Sequence, residues 1–457
     1  MPPRSRRDFL KYAALGGGTL LLPGLDARAT SPAPAEPHFF LLLFLNGGAD
    51  SAYTFDARPL SMTAAGKIQN YLGAEPIPWQ GRNGVGALAT SLVKPLIPYR
   101  DRFSVLNGVF MAPGFDGHQQ NANFLFTGSP FGGDSFVPHF NLAETGRERA
   151  SLDAVSPTEP LPLNVENHSS VVSLRPQAMG VLADTLRDRA PSRSADRLAA
   201  FMRDRLVANA EGRGRFAAGT SLMLSGLDGA PDVQRKLAQL TAPKRDTSAE
   251  QQAVAMIAEC FRLSIARSAI YVLPEYFDVH ADELAKTQPK LFGDAIGKVA
   301  AMLRGLVETP YDAKRSLLDV TTVMVATEFG RTLRSADAPI DQTGTNHNPF
   351  TSTILLAGKG IRGGLVIGAS DLPNEKAPAS KAHLALDPEL EKAMGCPFDF
   401  ATSKPRLDSP DAFDLKDYLT ASSVVNTLYA LFGVAKSRYR SPGRNLPVAP
   451  VLQGLLI

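Results

Sequence analysis

Cysteine is scarce in this chain. Its 457 residues include two, Cys260 and Cys396, too few for a disulfide framework. Cys260 falls on the apolar side of an expected helix, so a buried free thiol and a single bridge both fit. Length of apolar run is also lacking near the N-terminus. The stretch from Tyr12 to Leu25 is well short of the roughly 20 residues a membrane-spanning helix needs, which excludes a stable span there. No internal repeat and no long low-complexity tract is present, which sets aside repeat architectures. Excess charge is missing too. The formal net charge is +3, and the first 29 residues carry Arg4, Arg6, Arg7, Lys11 and Arg28 against only Asp8 and Asp26. The remainder is formally neutral, so the composition offers no nucleic-acid surface.

What is present begins at the N-terminus. Ser5 to Lys11 reads SRRDFLK: two adjacent arginines, then Phe9, Leu10 and a lysine. The apolar stretch follows, and Ala27-Arg28-Ala29 supplies an A-x-A cleavage site. These are the parts of a twin-arginine secretory signal in their proper order. The expected organisation is a signal over 1–29, a small, proline-rich linker over 30–37, and one α/β domain over 38–457. The twin-arginine translocase is then the partner during export, and the cleaved protein works in the periplasm or outside the cell. That route moves folded proteins, a weak pointer to a bound metal or cofactor.

Phe39 to Leu45, FFLLLFL, is a continuous apolar run between Pro37 and Asn46-Gly47-Gly48, the mark of a strand buried on both faces. Phe103 to Leu106, Ala269 to Leu273, Thr321 to Ala326 and Thr351 to Ala357 read as further strands. Helices are expected over Ser91–Tyr99 (limited by Pro95 and Pro98), Gln120–Phe126, Ser248–Arg267, Lys290–Leu306 and Asp414–Phe432. Thr247 and Glu250 offer a capping box for the third of these. The amphipathic period over Ser194–Ala218 belongs to a helical insertion at about 180–250. Strands alternating with helices predict a mostly parallel sheet with helices on both faces.

Ligands of such sheets bind at the carboxyl ends of the strands. Asp50 follows the first strand. Asp278 and His280 follow the strand at 269–273, Glu328 follows TTVMVA, and His347 precedes the next strand. Three carboxylates and two imidazoles suit Zn²⁺, Mn²⁺ or Fe better than Ca²⁺, which prefers oxygen alone. Each residue also has an ordinary structural reading: Asp50 as a turn stabiliser, Asp278 as a helix cap, Glu328 as a partner of Arg331 or Arg334, and His347 as a loop histidine. Their common placement favours the metal reading.

The segments NGGAD (Asn46–Asp50), Phe277–His280, TEFGRT (Thr327–Thr332), His347 running into LLAGKGIRGGLVIG, and Asp414–Tyr418 resemble the DUF1501 family of exported bacterial proteins. That family in turn resembles the alkaline phosphatase and sulfatase superfamily. The resemblance implies an alkaline phosphatase-like fold, with Asp50, Asp278, His280, Glu328 and His347 as ligands of a divalent metal, Zn or Mn. Counting back from Thr127-Gly128 puts His118 near the place where the superfamily carries a nucleophile. His118 is then a base, a ligand or a phosphohistidine-type nucleophile. Arg331 and Asn46 would hold the anion of a small phosphate or sulfate ester.

The chain departs from the family pattern at Asn346, where Asp is usual. Gln119, Gln120, Asn121 and Asn123 make the 118 segment rich in amides. Two functions follow: a metal-dependent ester hydrolase, or a non-catalytic exported binding or assembly protein on the same fold.

Overall fold

The computed structural model describes residues 36–61, 72, 74–112, 114–142, 150–159, 171–187, 201, 232–278, 280, 282–332, 345–371, 386, 392–406 and 412–457. The signal segment 1–29, linker residues 30–35, and most of the expected helix Ser194–Ala218 lie outside them.

Eight strands form the central sheet: β1 Phe39–Asn46, β2 Phe103–Leu106, β3 Ala154–Ser156, β4 Val171–Ser173, β5 Ser268–Tyr276, β6 Thr321–Thr327, β7 Ile354–Gly358 and β8 Val366–Ile367. Their order is β8-β2-β7-β6-β1-β5-β3-β4. Every pairing is parallel except those of β7, which runs antiparallel to both β2 and β6. The sheet is therefore mostly parallel, as its sequence pattern predicts. Because β7 is reversed, its start lies at the edge where β1, β5 and β6 end.

The five principal helices are α1 His118–Thr127, α2 Met179–Arg187, α3 Ala249–Arg262, α4 Asp282–Glu308 and α5 Ala421–Phe432. Central strand β1 explains how they divide. Phe39, Leu41, Leu43 and Leu45 enter one core, shared with Val254, Ile257 and Phe261 of α3 and Ile296, Val299 and Leu303 of α4. Phe40, Leu42 and Phe44 enter the opposite core, with Phe124 and Phe126 of α1 and Val424, Leu428 and Phe432 of α5. Alternate side chains of a strand point to opposite faces, so a strand with helices on both sides carries no polar face. This is why FFLLLFL shows no alternation. Phe39 stacks on Phe261 at 4.4 Å, and Phe44 meets Phe126 at 5.8 Å.

Several boundaries differ from the sequence expectation: α3 ends at Arg262 rather than Arg267, α4 begins at Asp282 rather than Lys290, and β7 begins at Ile354 rather than Thr351. The capping box of α3 is one residue later than Thr247–Glu250. Gln251 N–H donates to Ser248 Oγ at 3.2 Å and Ser248 N–H donates to Gln251 Oε1 at 3.0 Å, while Thr247 Oγ1 donates to Lys244 O. The closing helix does not begin at Asp414. Residues Leu415–Asp417 form a single tight turn, and α5 starts only after Thr420, whose hydroxyl accepts from Ser423 N–H. Of the expected insertion at 180–250, α2 and the stretch 232–250 are described; Arg187 Nη2 donates to Leu240 O at 3.1 Å and ties the two together.

Cys260 is a buried free thiol, and burial pushes it up to about 12. Among the described residues, no helix is long and apolar enough to cross a membrane.

Candidate metal centre

The loop after β1 is the floor of the site, and two glycines shape it. Gly47 has φ +106°, and a Cβ there would lie 2.5 Å from Phe277 N and 2.6 Å from Asp278 N. Gly48 has φ +72°, and its Cβ would strike the Phe329 ring at 2.0 Å. Only glycine accepts both the left-handed backbone and the contact. The pair lets three loops meet: the one after β1, the one after β5 that carries Asp278 and His280, and the one after β6 that carries Glu328 and Phe329.

His118, Asp278, His280 and His347 each offer a ligand atom within 4.8 Å of the others. His280 Nε2 lies 2.8 Å from His347 Nε2 and 3.0 Å from Asp278 Oδ1. His118 Nε2 is 3.3 Å from Asp278 Oδ1, and His347 Nε2 is 3.9 Å from it. Ligands about 2.1 Å from a common ion stand roughly 3.0–3.4 Å apart at coordination angles of about 90–110°. The observed separations bracket that spacing. His118 Nε2 is buried and makes no hydrogen bond among the described residues, although polar atoms so placed are nearly always satisfied. Three imidazoles, one of them with an orphaned ring nitrogen, and one carboxylate fit a Zn²⁺, Mn²⁺ or Fe ion.

The surrounding residues hold these donors in place. His118 Nδ1 lies 2.8 Å from Glu328 Oε1, and that carboxylate also accepts from Gly47 N–H at 2.8 Å and from Thr327 Oγ1 at 3.0 Å. The Asp116 carbonyl binds His347 Nδ1. Both rings are thus oriented through the nitrogen that faces away from the cluster, as metal-ligating histidines usually are. The Phe329 ring packs at 4.8 Å from His118 and 4.5 Å from His347.

Charge follows from the same contacts. Burial alone would raise Asp278, but the Arg331 hydrogen bond and charge, with His118 and His280 beside it, hold its carboxyl below the usual range. His347 is pushed down to about 4, first by burial and then by the charges of Arg331 and His118. For His118 burial acts downward, and Glu328 and Asp278 outweigh it and raise the ring. At neutral pH, Asp278 is ionised and His347 neutral, the states a metal requires.

The remaining expected site residues lie outside the four-residue group. Asp50 is not in the four-residue group. It is buried and caps the short turn Ser51–Tyr53, accepting from Ala52 N–H at 2.9 Å, and burial raises its carboxyl to about 7. The capping position and the ligand position both follow a strand end, so the sequence could not separate them. Glu328 touches His118 and is not in the ligand group.

Arg331, expected to hold an anion, is 1% exposed. It donates to the carbonyls of Gly47, Gly48, Phe277 and Thr345 and to Asp278 Oδ1 at 2.8 Å, so it is the clamp of the loops. Asn46 ends β1, and its carbonyl accepts from Phe277 N–H at 2.9 Å. His118, read from sequence at a nucleophile position, sits among the ligands. The roles of Asp116 and Phe329 left no sequence signal beyond adjacency to His118 and membership of TEFGRT.

Similar solved structures include the C-terminal periplasmic domain of EptC from Escherichia coli in complex with Zn. It is 10% identical, with 92% of each chain covered and a TM-score of 0.35. Others are a 2-O GAG sulfatase (11%, 88% of this chain and 71% of that one, TM-score 0.31) and the lipoteichoic acid synthase LtaP from Listeria monocytogenes (9%, 90% and 76%, TM-score 0.31). No curated protein matches in sequence. The family described as "Protein of unknown function (DUF1501)" matches residues 150–387, just over half of the chain. The chain belongs to the DUF1501 family.

Proposed function

We propose that this protein is an exported metal-dependent hydrolase of a phosphate, sulfate or related ester, with its ion held by His118, Asp278, His280 and His347. The observation that carries the reading is the convergence of these four side chains, from distant segments, at the carboxyl edge of the sheet. Such an ion, when bound, polarises the ester oxygen and lowers the pKa of water. The protein's own residues supply the rest. Arg331 fixes Asp278, Glu328 fixes His118 and can keep a proton at Nδ1, and half-exposed His280 leaves one side of the cluster open to an incoming ester. The reading assigns water as the attacking group, with the ester oxygen leaving as an alcohol. Export rests on SRRDFLK and the A-x-A site.

One observation favours a non-catalytic binding protein instead: the Arg331 guanidinium is committed to the protein's own loops and is not turned to a substrate anion. The test is turnover of 4-nitrophenyl phosphate and 4-nitrophenyl sulfate by cleaved protein loaded with Zn²⁺ or Mn²⁺. The hydrolase reading predicts release of 4-nitrophenol that His280→Ala abolishes. Stoichiometric metal without turnover of either ester turns the assignment to the binding protein.

A further inference from the structure

A cavity of about 800 Å³ opens between the turn after α1 and the segment 438–444. It shares no residue with the metal-ligand group. Three arginines line it, Arg438, Arg440 and Arg444, and among the described residues its lining includes no carboxylate. Their commitments differ. Arg440 is buried, and its fork caps the carboxyl end of α1 through Leu125 O at 3.0 Å and Phe126 O. Arg438 donates to Asp134 Oδ2 at 3.1 Å and lies 3.0 Å from His139 Nε2. Arg444 is exposed and has no ion pair or hydrogen bond among the described residues. Positive charge at this cavity is therefore in excess, and Arg444 has its planar donor fork available for an anion.

The lining is also aromatic. Phe131 is 82% exposed, unusual for so large an apolar ring, and it meets Phe115 edge to face at 5.4 Å. Phe124 and the Tyr439 ring continue the lining. The volume falls within the range of small-molecule sites, which pair an apolar lining with a few placed polar groups.

We propose that this cavity binds a small organic anion with an aromatic or other planar apolar body. The body covers Phe131 and Phe115, and a sulfonate, sulfate, phosphate or carboxylate group meets Arg444. The proposal rests on no part of the metal reading.

The probe is naphthalene-2-sulfonate, an aromatic anion with no ester bond to cleave, titrated calorimetrically into the cleaved protein. One saturable site per chain is expected. Phe131→Ala and Arg444→Ala, both at exposed positions, should each weaken binding at least tenfold, and neutral naphthalene-2-methanol should bind at least tenfold more weakly than the sulfonate. His280→Ala should bind the probe as the unaltered protein does. The proposal is overturned by no saturable binding, by several weak sites, by unchanged affinity in either rim variant, by equal affinity for the neutral analogue, or by loss of binding in His280→Ala.

Discussion

Two carboxylates near the candidate centre illustrate how burial and partners assign roles to single residues. Glu328 is buried and bonded to His118, Gly47 N–H and Thr327. Glu328→Gln keeps its shape and removes its charge. Losing such an orienting partner weakens metal affinity about 10–100-fold, so a metal titration of this variant should show that loss with little change in melting temperature in chelator. Asp50 behaves differently. Burial raises its carboxyl to about 7 in the fold, against 3.8 for a solvated aspartate, so the native state holds the proton more tightly than the unfolded chain. The stability this contributes is complete below about pH 4 and is lost as pH rises through about 7. Asp50→Asn retains the capping oxygen and has no charge to bury. Its stability relative to the unaltered protein should therefore rise between pH 5 and pH 8, by about 2–3 kcal/mol, with metal stoichiometry unchanged. Metal loss in Asp50→Asn would restore Asp50 to the ligand set. The sequence could list Asp50, Asp278, His280, Glu328 and His347 because each lies beside a strand end. It could not tell a cap from a ligand, since both need a short acid in the same turn.

The elements that position the site were legible where burial is extreme. FFLLLFL and TTVMVA are strands whose both faces are covered; the short length and the bounding Pro37 and Asn46-Gly47-Gly48 mark the first, and β-branched content marks the second. Segments governed by local polar competition were harder to read. Thr247 and Ser248 each have an acid or amide three residues on, and the hydroxyl of Thr247 is instead taken by Lys244 O. Asp414 caps a turn of three residues, and Thr420 then caps the real helix. Long-range contacts such as Gly48 against Phe329 had no local signature beyond the glycine pair. They set a strict requirement all the same. Gly48→Ala combines a left-handed backbone with a clash against the ring, worth about 2–4 kcal/mol together. Chemical denaturation should show that loss, and because Phe329 packs against His118 and His347, metal affinity should fall with it.

At the scale of the whole molecule, the sheet brings together residues separated by more than two hundred positions in sequence, and the proposed export signal would deliver them folded. Replacing Arg6 and Arg7 together by Lys should leave full-length precursor in the cytoplasm, read by fractionation and blotting. Mature protein reaching the periplasm at normal levels would overturn the twin-arginine reading. The central claim is that one ion joins His118, Asp278, His280 and His347. A metal that binds only the folded state stabilises it by mass action, by about 2.7 kcal/mol at a hundredfold excess over its dissociation constant. The most direct measurement is elemental analysis of the purified, cleaved protein and its His280→Ala variant, with melting temperatures of both in metal and in chelator. The account predicts about one equivalent of Zn, Mn or Fe in the unaltered protein, little in the variant, and melting temperatures that differ in metal but converge in chelator. A metal-free unaltered protein, or a stability difference that persists undiminished in chelator, would contradict it.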